Sequence, residues 1–235
     1  MSVFHFRDFS IWQEISPLKV GTDALLLGAS VQIPEANATL LDVGTGTGVV
    51  ALILASRFQQ IQVVALEPNE LAFNEAKLNL ENAPFQARLS IHFSSVEAFQ
   101  RSDLFDVIVS NPPYFLDNLK GKETALNEAK HLTKDAYFGF LAACLNLLKH
   151  DGFLWLILPK DVALKTIAYL EHEGFFVQQK IRFHSNESKL DTRWVLSFSR
   201  IEQVCQETAL YIRNLDGTYH ADYIKHVGYL HAKAL

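Results

Sequence analysis

Cysteine is nearly absent from this 235-residue chain. Cys144 and Cys205 are the only two, which leaves no disulfide framework and no cysteine-rich zinc site, so a reducing, cytoplasmic setting is expected. No apolar run approaches the length that crosses a bilayer, and Met1 to Gln13 alternates aromatic and polar residues without the apolar core of a signal peptide. A soluble protein with no membrane contact is expected. The nine histidines show no pair at metal-ligand spacing with a carboxylate, so no metal is expected either. Excess charge of one sign is also missing: 21 Lys and Arg against 26 Asp and Glu give −5, too little to draw the whole chain to a polyanion. Any nucleic acid must meet a local patch, and the C-terminal quarter is the more basic part. Residues 1–179 hold 13 basic and 20 acidic side chains, net −7, whereas residues 180–235 hold 8 and 6, net +2. Repeats, low-complexity tracts and Pro-, Gly- or Ser-rich linkers are lacking, so residues 1–235 are expected to form one domain, a monomer, with a short N-terminal cap over residues 1–37.

What is present is a large apolar fraction, 49%, beside 20% charged residues, enough for a full α/β core. From Ala38 onward short apolar runs alternate with helical stretches. The pattern predicts strands at Thr39–Val43, Gln62–Leu66, Leu89–Phe93, Phe105–Ser110 and Gly152–Leu158. Helices are predicted at Gly21–Val31, Thr47–Phe58, Asn69–Glu81, Asp135–Lys149, with Asp135 as N-cap, and Asp161–His172. Phe175–Phe183 and Arg193–Arg200 have only polar residues between them; without a crossover helix they should pair antiparallel.

The first strand runs into Leu41-Asp42-Val43-Gly44-Thr45-Gly46-Thr47-Gly48, a tight strand-to-helix turn where glycine lets a ligand approach the backbone. A nicotinamide fingerprint requires a glycine where Val49 stands, and a triphosphate loop requires a lysine that is missing between Leu40 and Phe58. Glu67 ends the second strand 21 residues after Gly46, where a carboxylate accepts hydrogen bonds from both hydroxyls of a ribose. Asp42 is placed either to hold a ligand ammonium group or to cap the loop's own amides. A ligand with a ribose, an amino-acid end and no pyrophosphate is S-adenosylmethionine.

A second loop, Asn111-Pro112-Pro113-Tyr114, follows the strand Asp106–Ser110. Two prolines fix the backbone and remove two donors, leaving carbonyls, an amide and an aromatic ring at the sheet edge where ligands bind. The Asn111 side-chain oxygen and the Pro112 carbonyl can accept both N–H groups of a planar amine, with Tyr114 stacked on the plane that carries it.

These two loops resemble those of Rossmann-like methyltransferases acting on planar amino nitrogens. Within that class, Phe4-His5-Phe6, Lys19-Val20-Gly21-Thr22-Asp23-Ala24-Leu25-Leu26-Leu27-Gly28, Arg193-Trp194-Val195-Leu196 and the segment Tyr219–Leu230 resemble the bacterial tRNA1(Val) adenine-N6 methyltransferases over nearly the whole chain. The resemblance implies an α/β fold with helices on both faces of a seven-stranded, mostly parallel sheet whose last strand is antiparallel. It implies methylation, with S-adenosylmethionine, of an adenine beside the anticodon of valine tRNA. It also places Lys19, Gly21 and Thr22 beside the cofactor, together with Asp42, Gly44, Gly46, Gly48 and Glu67, and it puts Ser95 where the family commonly has an acid that holds the cofactor's adenine amino group.

Two basic clusters are candidate RNA grips: Lys120, Lys122, Lys130, His131 and Lys134 after the target loop, diluted by acids to +1 over residues 114–134, and Lys180, Arg182, Lys189, Arg193 and Arg200 near the last hairpin. Either set is equally readable as a solvated surface. Two other acceptors fit the same target loop: a protein glutamine, as in a release factor, and a guanine N2 of ribosomal RNA. Only some 37 residues precede the first strand, too few for the separate helical domain usual in the glutamine enzymes. A non-catalytic RNA-binding subunit on the same fold is a further alternative, which the intact loops disfavour.

Overall fold

The computed structural model describes residues 2–15, 19–113 and 133–233. A small antiparallel pair comes first, β1 (Val3–His5) with β2 (Ser10–Trp12), followed by helix α1 (Thr22–Ser30). Then come β3 (Thr39–Val43), α2 (Val49–Arg57), β4 (Gln62–Glu67), α3 (Glu70–Glu81), β5 (Leu89–Phe93) and β6 (Phe105–Ser110). The second half holds α4 (Lys134–Asn146), β7 (Leu148–Leu158), α5 (Lys160–His172), β8 (Phe176–His184), β9 (Arg193–Ser199), β10 (Gln206–Tyr211) and α6 (Ala221–Val227).

Strands β3 to β10 form one sheet in the order β10-β8-β9-β7-β6-β3-β4-β5. Only β9 runs antiparallel to its neighbours, inserted between β7 and β8. The sheet therefore has eight strands rather than seven. The added strand is β10, parallel to β8 at the edge; four of its six residues are exposed, so it carries no apolar run that would reveal it.

Period-two alternation sends neighbouring side chains to opposite faces. Leu40 joins Leu26, Leu27, Ile53, Val63 and Val227 in a core beneath α1, α2 and α6, while Leu41 joins Leu66, Ile108, Leu156, Tyr137, Leu141 and Ala163 in a core beneath α4 and α5. Seven of the nine residues of α2 are buried, as suits a helix covered on both sides.

Most boundaries lie within two residues of the sequence reading, and two features of α4 and β7 depart from it. Helix α4 is capped by Thr133, whose side chain accepts from the Ala136 N–H at 3.2 Å, so Asp135 falls in the first turn, where its charge complements the helix N-terminus. The apolar residues Leu145 and Leu148 continue a helical spacing, yet Leu148 already pairs with Phe105, and the polar stretch Lys149–Asp151 lies within β7. The sheet reverses direction of growth at β3, between β4 and β6. In open α/β sheets such a switch point opens the crevice that binds ligands.

Candidate active site

Registers Val43↔Ser110 and Val43↔Leu66 bring the ends of β3, β6 and β4 level. The loops that begin at Gly44 and Asn111 thus leave adjacent strands at the same height. Ser110, fully buried, donates its hydroxyl to the Val43 carbonyl at 2.7 Å and ties the two strand ends together. Asn111 is half-buried, and its side chain makes no hydrogen bond with any described residue. Pro112 is buried and Pro113 half-buried. Tyr114, Lys120, Lys122, Lys130 and His131 lie outside the described residues.

In the glycine loop Gly44, Gly46 and Gly48 have φ of +70°, +59° and +84°. A Cβ on Gly44 or Gly46 would meet nothing within 4 Å, whereas one on Gly48 would lie 2.5 Å from Leu80 Cδ1 of α3. The first two glycines therefore face open space and the third seats the loop on a helix. Glu67 Oε2 accepts from the Gly46 N–H at 2.8 Å, and Oε1 accepts from the Asn69 N–H at 2.9 Å. The two residues paired by their spacing are thus in contact. Burial pushes the Glu67 carboxyl up, against the two N–H groups that pull it down.

Asp42 is buried and faces α2; its Oδ2 accepts from the Thr45 hydroxyl at 2.6 Å and the Ala51 N–H at 3.1 Å. Burial pushes its carboxyl up to about 7, and the charge of Glu67 adds to the rise. Of the two readings of Asp42 the contacts present are structural, but they run to the Thr45 hydroxyl and to the first turn of α2 rather than to the loop's own amides. Ser95, just after β5, is half-buried, and its hydroxyl accepts weakly from the Ala98 N–H at 3.4 Å. Gly21 is the N-cap of α1 and Thr22 its first residue, both exposed. Lys19 donates its ammonium to the carbonyls of Gln13 and Glu14, so it fastens its own segment.

Comparison with known proteins agrees with this geometry. Residues 17–182 match the model of the methyltransferase small domain family. A tRNA1(Val) (adenine(37)-N6)-methyltransferase of Pseudoalteromonas translucida is 35% identical over 225 residues, covering 95% of this chain and 96% of that protein. One of the same name from Pedobacter heparinus is 36% identical over 218 residues, 93% of each. This chain belongs to the tRNA1(Val) (adenine(37)-N6)-methyltransferase family. Among solved structures, a predicted O-methyltransferase from Agrobacterium tumefaciens superposes with a TM-score of 0.68 over 91% of this chain and 99% of that one; at 17% identity it supports the methyltransferase fold alone.

The cofactor that this methyltransferase family implies is S-adenosylmethionine, and the residues present fit it. Gly44 and Gly46 present bare backbone to open space, a cradle that a Cβ would fill. Each Glu67 oxygen accepts one N–H and so keeps a lone pair for a ribose hydroxyl. Two carboxyls raised by burial, Asp42 and Glu67, suit a ligand that carries positive charge. Among the described residues no group of three His, Cys, Asp or Glu is placed to hold a metal ion, and no helix is long and apolar enough to cross a membrane.

The hairpin cations are mostly engaged within the protein. Lys180 and Arg182 pair with Glu207 at 3.0 and 2.9 Å, Arg193 with Asp23 at 2.7 Å, and Arg200 lies over the Phe175 ring. Sequence reasoning overlooked Glu75 and Asn79 of α3, both buried, with Asn79 bonded to the Thr47 carbonyl of the glycine loop. Their signal was there: two polar residues at i, i+4 between Ala72, Ala76 and Leu80, on what should be an apolar stripe.

Proposed function

We propose that this chain, acting as a single catalytic unit in the cytoplasm, transfers a methyl group from S-adenosylmethionine to the N6 amino group of the adenine beside the anticodon of valine tRNA. The observation that carries this reading is the level register of β3 and β6, which sets the glycine loop and Asn111-Pro112-Pro113 side by side at the switch point. The substrate assignment rests on membership of the family.

Gly44 and Gly46 would lie against the cofactor, Glu67 would accept from its ribose, and Lys19, Gly21, Thr22 and Ser95 would line its flanks. When bound, the cofactor supplies an electrophilic methyl group on a sulfonium. Asn111 and the Pro112 carbonyl accept the two N–H groups of the target amine, which draws the nitrogen toward tetrahedral geometry and frees its lone pair. Tyr114 offers a ring on which the base can stack. Both contacts position the nitrogen and stabilise the charge that develops on it, and no separate base is needed because the nitrogen sheds its proton after transfer.

The test is transfer of labelled methyl to unmodified valine tRNA, ribosomal RNA and a release factor offered side by side. Label on the tRNA adenine alone is the expected result. Label on protein glutamine or on guanine, or none on any acceptor, overturns the assignment.

A further inference from the structure

Helix α3 makes two contacts with the N-terminal segment that the loops themselves do not explain. Asn79, 3% exposed, accepts from the Trp12 N–H at 2.8 Å and donates to the Trp12 carbonyl at 2.9 Å, so its carboxamide pairs with Trp12 as a neighbouring strand would. Its amide nitrogen also donates to the carbonyl of Thr47, inside the glycine loop, at 2.9 Å. One turn earlier Glu75, 4% exposed, accepts from the successive N–H groups of Glu14 at 2.5 Å and Ile15 at 2.8 Å. The held segment then reaches onward: Gln13 Oε1 accepts from the Val20 N–H at 2.6 Å, and Lys19 donates to the carbonyls of Gln13 and Glu14.

We propose that Asn79 and Glu75 are positioning residues that clamp residues 12–15 to α3 and, through Thr47, to the glycine loop, so that the segment from Lys19 to Thr22 and the glycine loop stay fixed as opposing walls of the cofactor site. Neither side chain touches the reacting atoms. The inference rests on the methyltransferase reading above, because it assigns these residues to the placement of that cofactor. The physical case is that a buried side chain bonded to the backbone of two chain segments fixes their separation, while apolar packing alone lets them slide. The side chains act on main-chain groups, so the requirement is for carboxamide and acceptor chemistry at 79 and 75, whatever residues stand at 12, 14, 15 and 47.

The measurement is calorimetric affinity for S-adenosylhomocysteine, a ligand that needs no turnover, together with amide hydrogen exchange at Trp12, Glu14 and Ile15. Asn79→Leu, which keeps volume but removes three hydrogen bonds, is expected to weaken affinity about tenfold and to speed exchange at Trp12. Glu75→Leu should act likewise at Glu14 and Ile15. Glu75→Gln, which still offers an oxygen to both N–H groups, should stay within about threefold of the parent. Steady-state kinetics should show KM for S-adenosylmethionine rising with kcat nearly unchanged. If Asn79→Leu does not fold, exchange in the parent decides, since ligand must then slow exchange at Trp12, Glu14 and Ile15 together. Unchanged affinity in folded Asn79→Leu, equal loss in Glu75→Gln and Glu75→Leu, or no effect of ligand on those amides overturns the clamp. Absence of S-adenosylhomocysteine binding by the parent overturns the cofactor reading instead, which keeps the two failures apart.

Discussion

The carboxyl edge around β3 and the outer edge of β8 and β10 both carry charged side chains but treat them in opposite ways. At the first, Asp42 and Glu67 are buried and accept only from neutral N–H and O–H groups, with no cation in ion-pair reach among the described residues. At the second, Lys160, Lys180, Arg182, Asp191 and Glu207 form a chain of ion pairs at 2.9 to 3.8 Å on a partly exposed surface. A charge desolvated without a counter-charge is a standing cost that a ligand can relieve, whereas a charge already matched has little left to offer one. The crowded basic edge therefore says less about function than two lone carboxylates.

The comparison breaks most sharply at Asn111, whose side chain has no structural partner among the described residues. Asn111→Ala should keep the fold and the cofactor affinity yet slow methyl transfer on the order of a hundredfold, as for loss of one positioned catalytic hydrogen-bonding group. Single-turnover rates at saturating cofactor, set beside a calorimetric titration, decide it; near-parental turnover would return Asn111 to a mere turn residue.

Changes under the cofactor cradle should come next. Glu67→Ala removes the partner of the Gly46 N–H and the ribose acceptor together, so affinity for S-adenosylmethionine should fall by more than about tenfold. Gly46→Ala adds a methyl group into the open space of the cradle and places an L residue at φ +59°, which costs about 1–2 kcal/mol of stability besides the ligand clash. Parental affinity in both variants would mean that the cofactor lies elsewhere.

Much of this edge was legible in the sequence, for a physical reason. Strands buried on both faces in a parallel sheet read as largely apolar runs, so Thr39–Val43 and Phe105–Ser110 were bounded to the residue. The glycine spacing and the 21-residue step to Glu67 likewise translate directly into a contact, because a strand–helix–strand unit has a nearly fixed length. Illegible features depend on what lies across from them. β10 presents exposed residues and exists because β8 offers an open edge. Glu75 and Asn79 visibly interrupt the apolar stripe of α3, but what they hold becomes legible only once residues 12–15 are laid across them. Thr133 and Asp135 are both good caps, and only the backbone path chose the former.

The raised carboxyl of Asp42 supplies a pH test of the same edge. Its pKa is about 7 in the folded protein against 3.8 in the reference state, so the folded chain holds this proton more tightly than the unfolded chain. Its contribution to stability is fully present below pH 3.8 and is lost as pH rises through about 7. Glu67, also raised, acts in the same direction. Asp42→Asn should flatten this decline in a series of urea melts across the range, provided the amide still accepts from Thr45 and Ala51. An unaltered slope would show that Asp42 ionises at its ordinary value and that its burial is relieved by some other group.

The smallest effects belong to the outer edge. Lys180→Gln and Arg182→Gln each remove one partner of Glu207, a half-exposed pair worth at most about 1 kcal/mol after solvent screening. Because these cations are matched internally, neither change should alter the slope of log affinity for valine tRNA against log salt. A cation that contacted a phosphate would lower that slope by about one when removed, and the parent's own slope sets the number of contacts to be found. Should either variant show that loss, the ion pairs must open on RNA binding, and the edge would join the active site as part of the substrate surface. If both slopes stay parental, the grip on RNA must come from cations outside this edge.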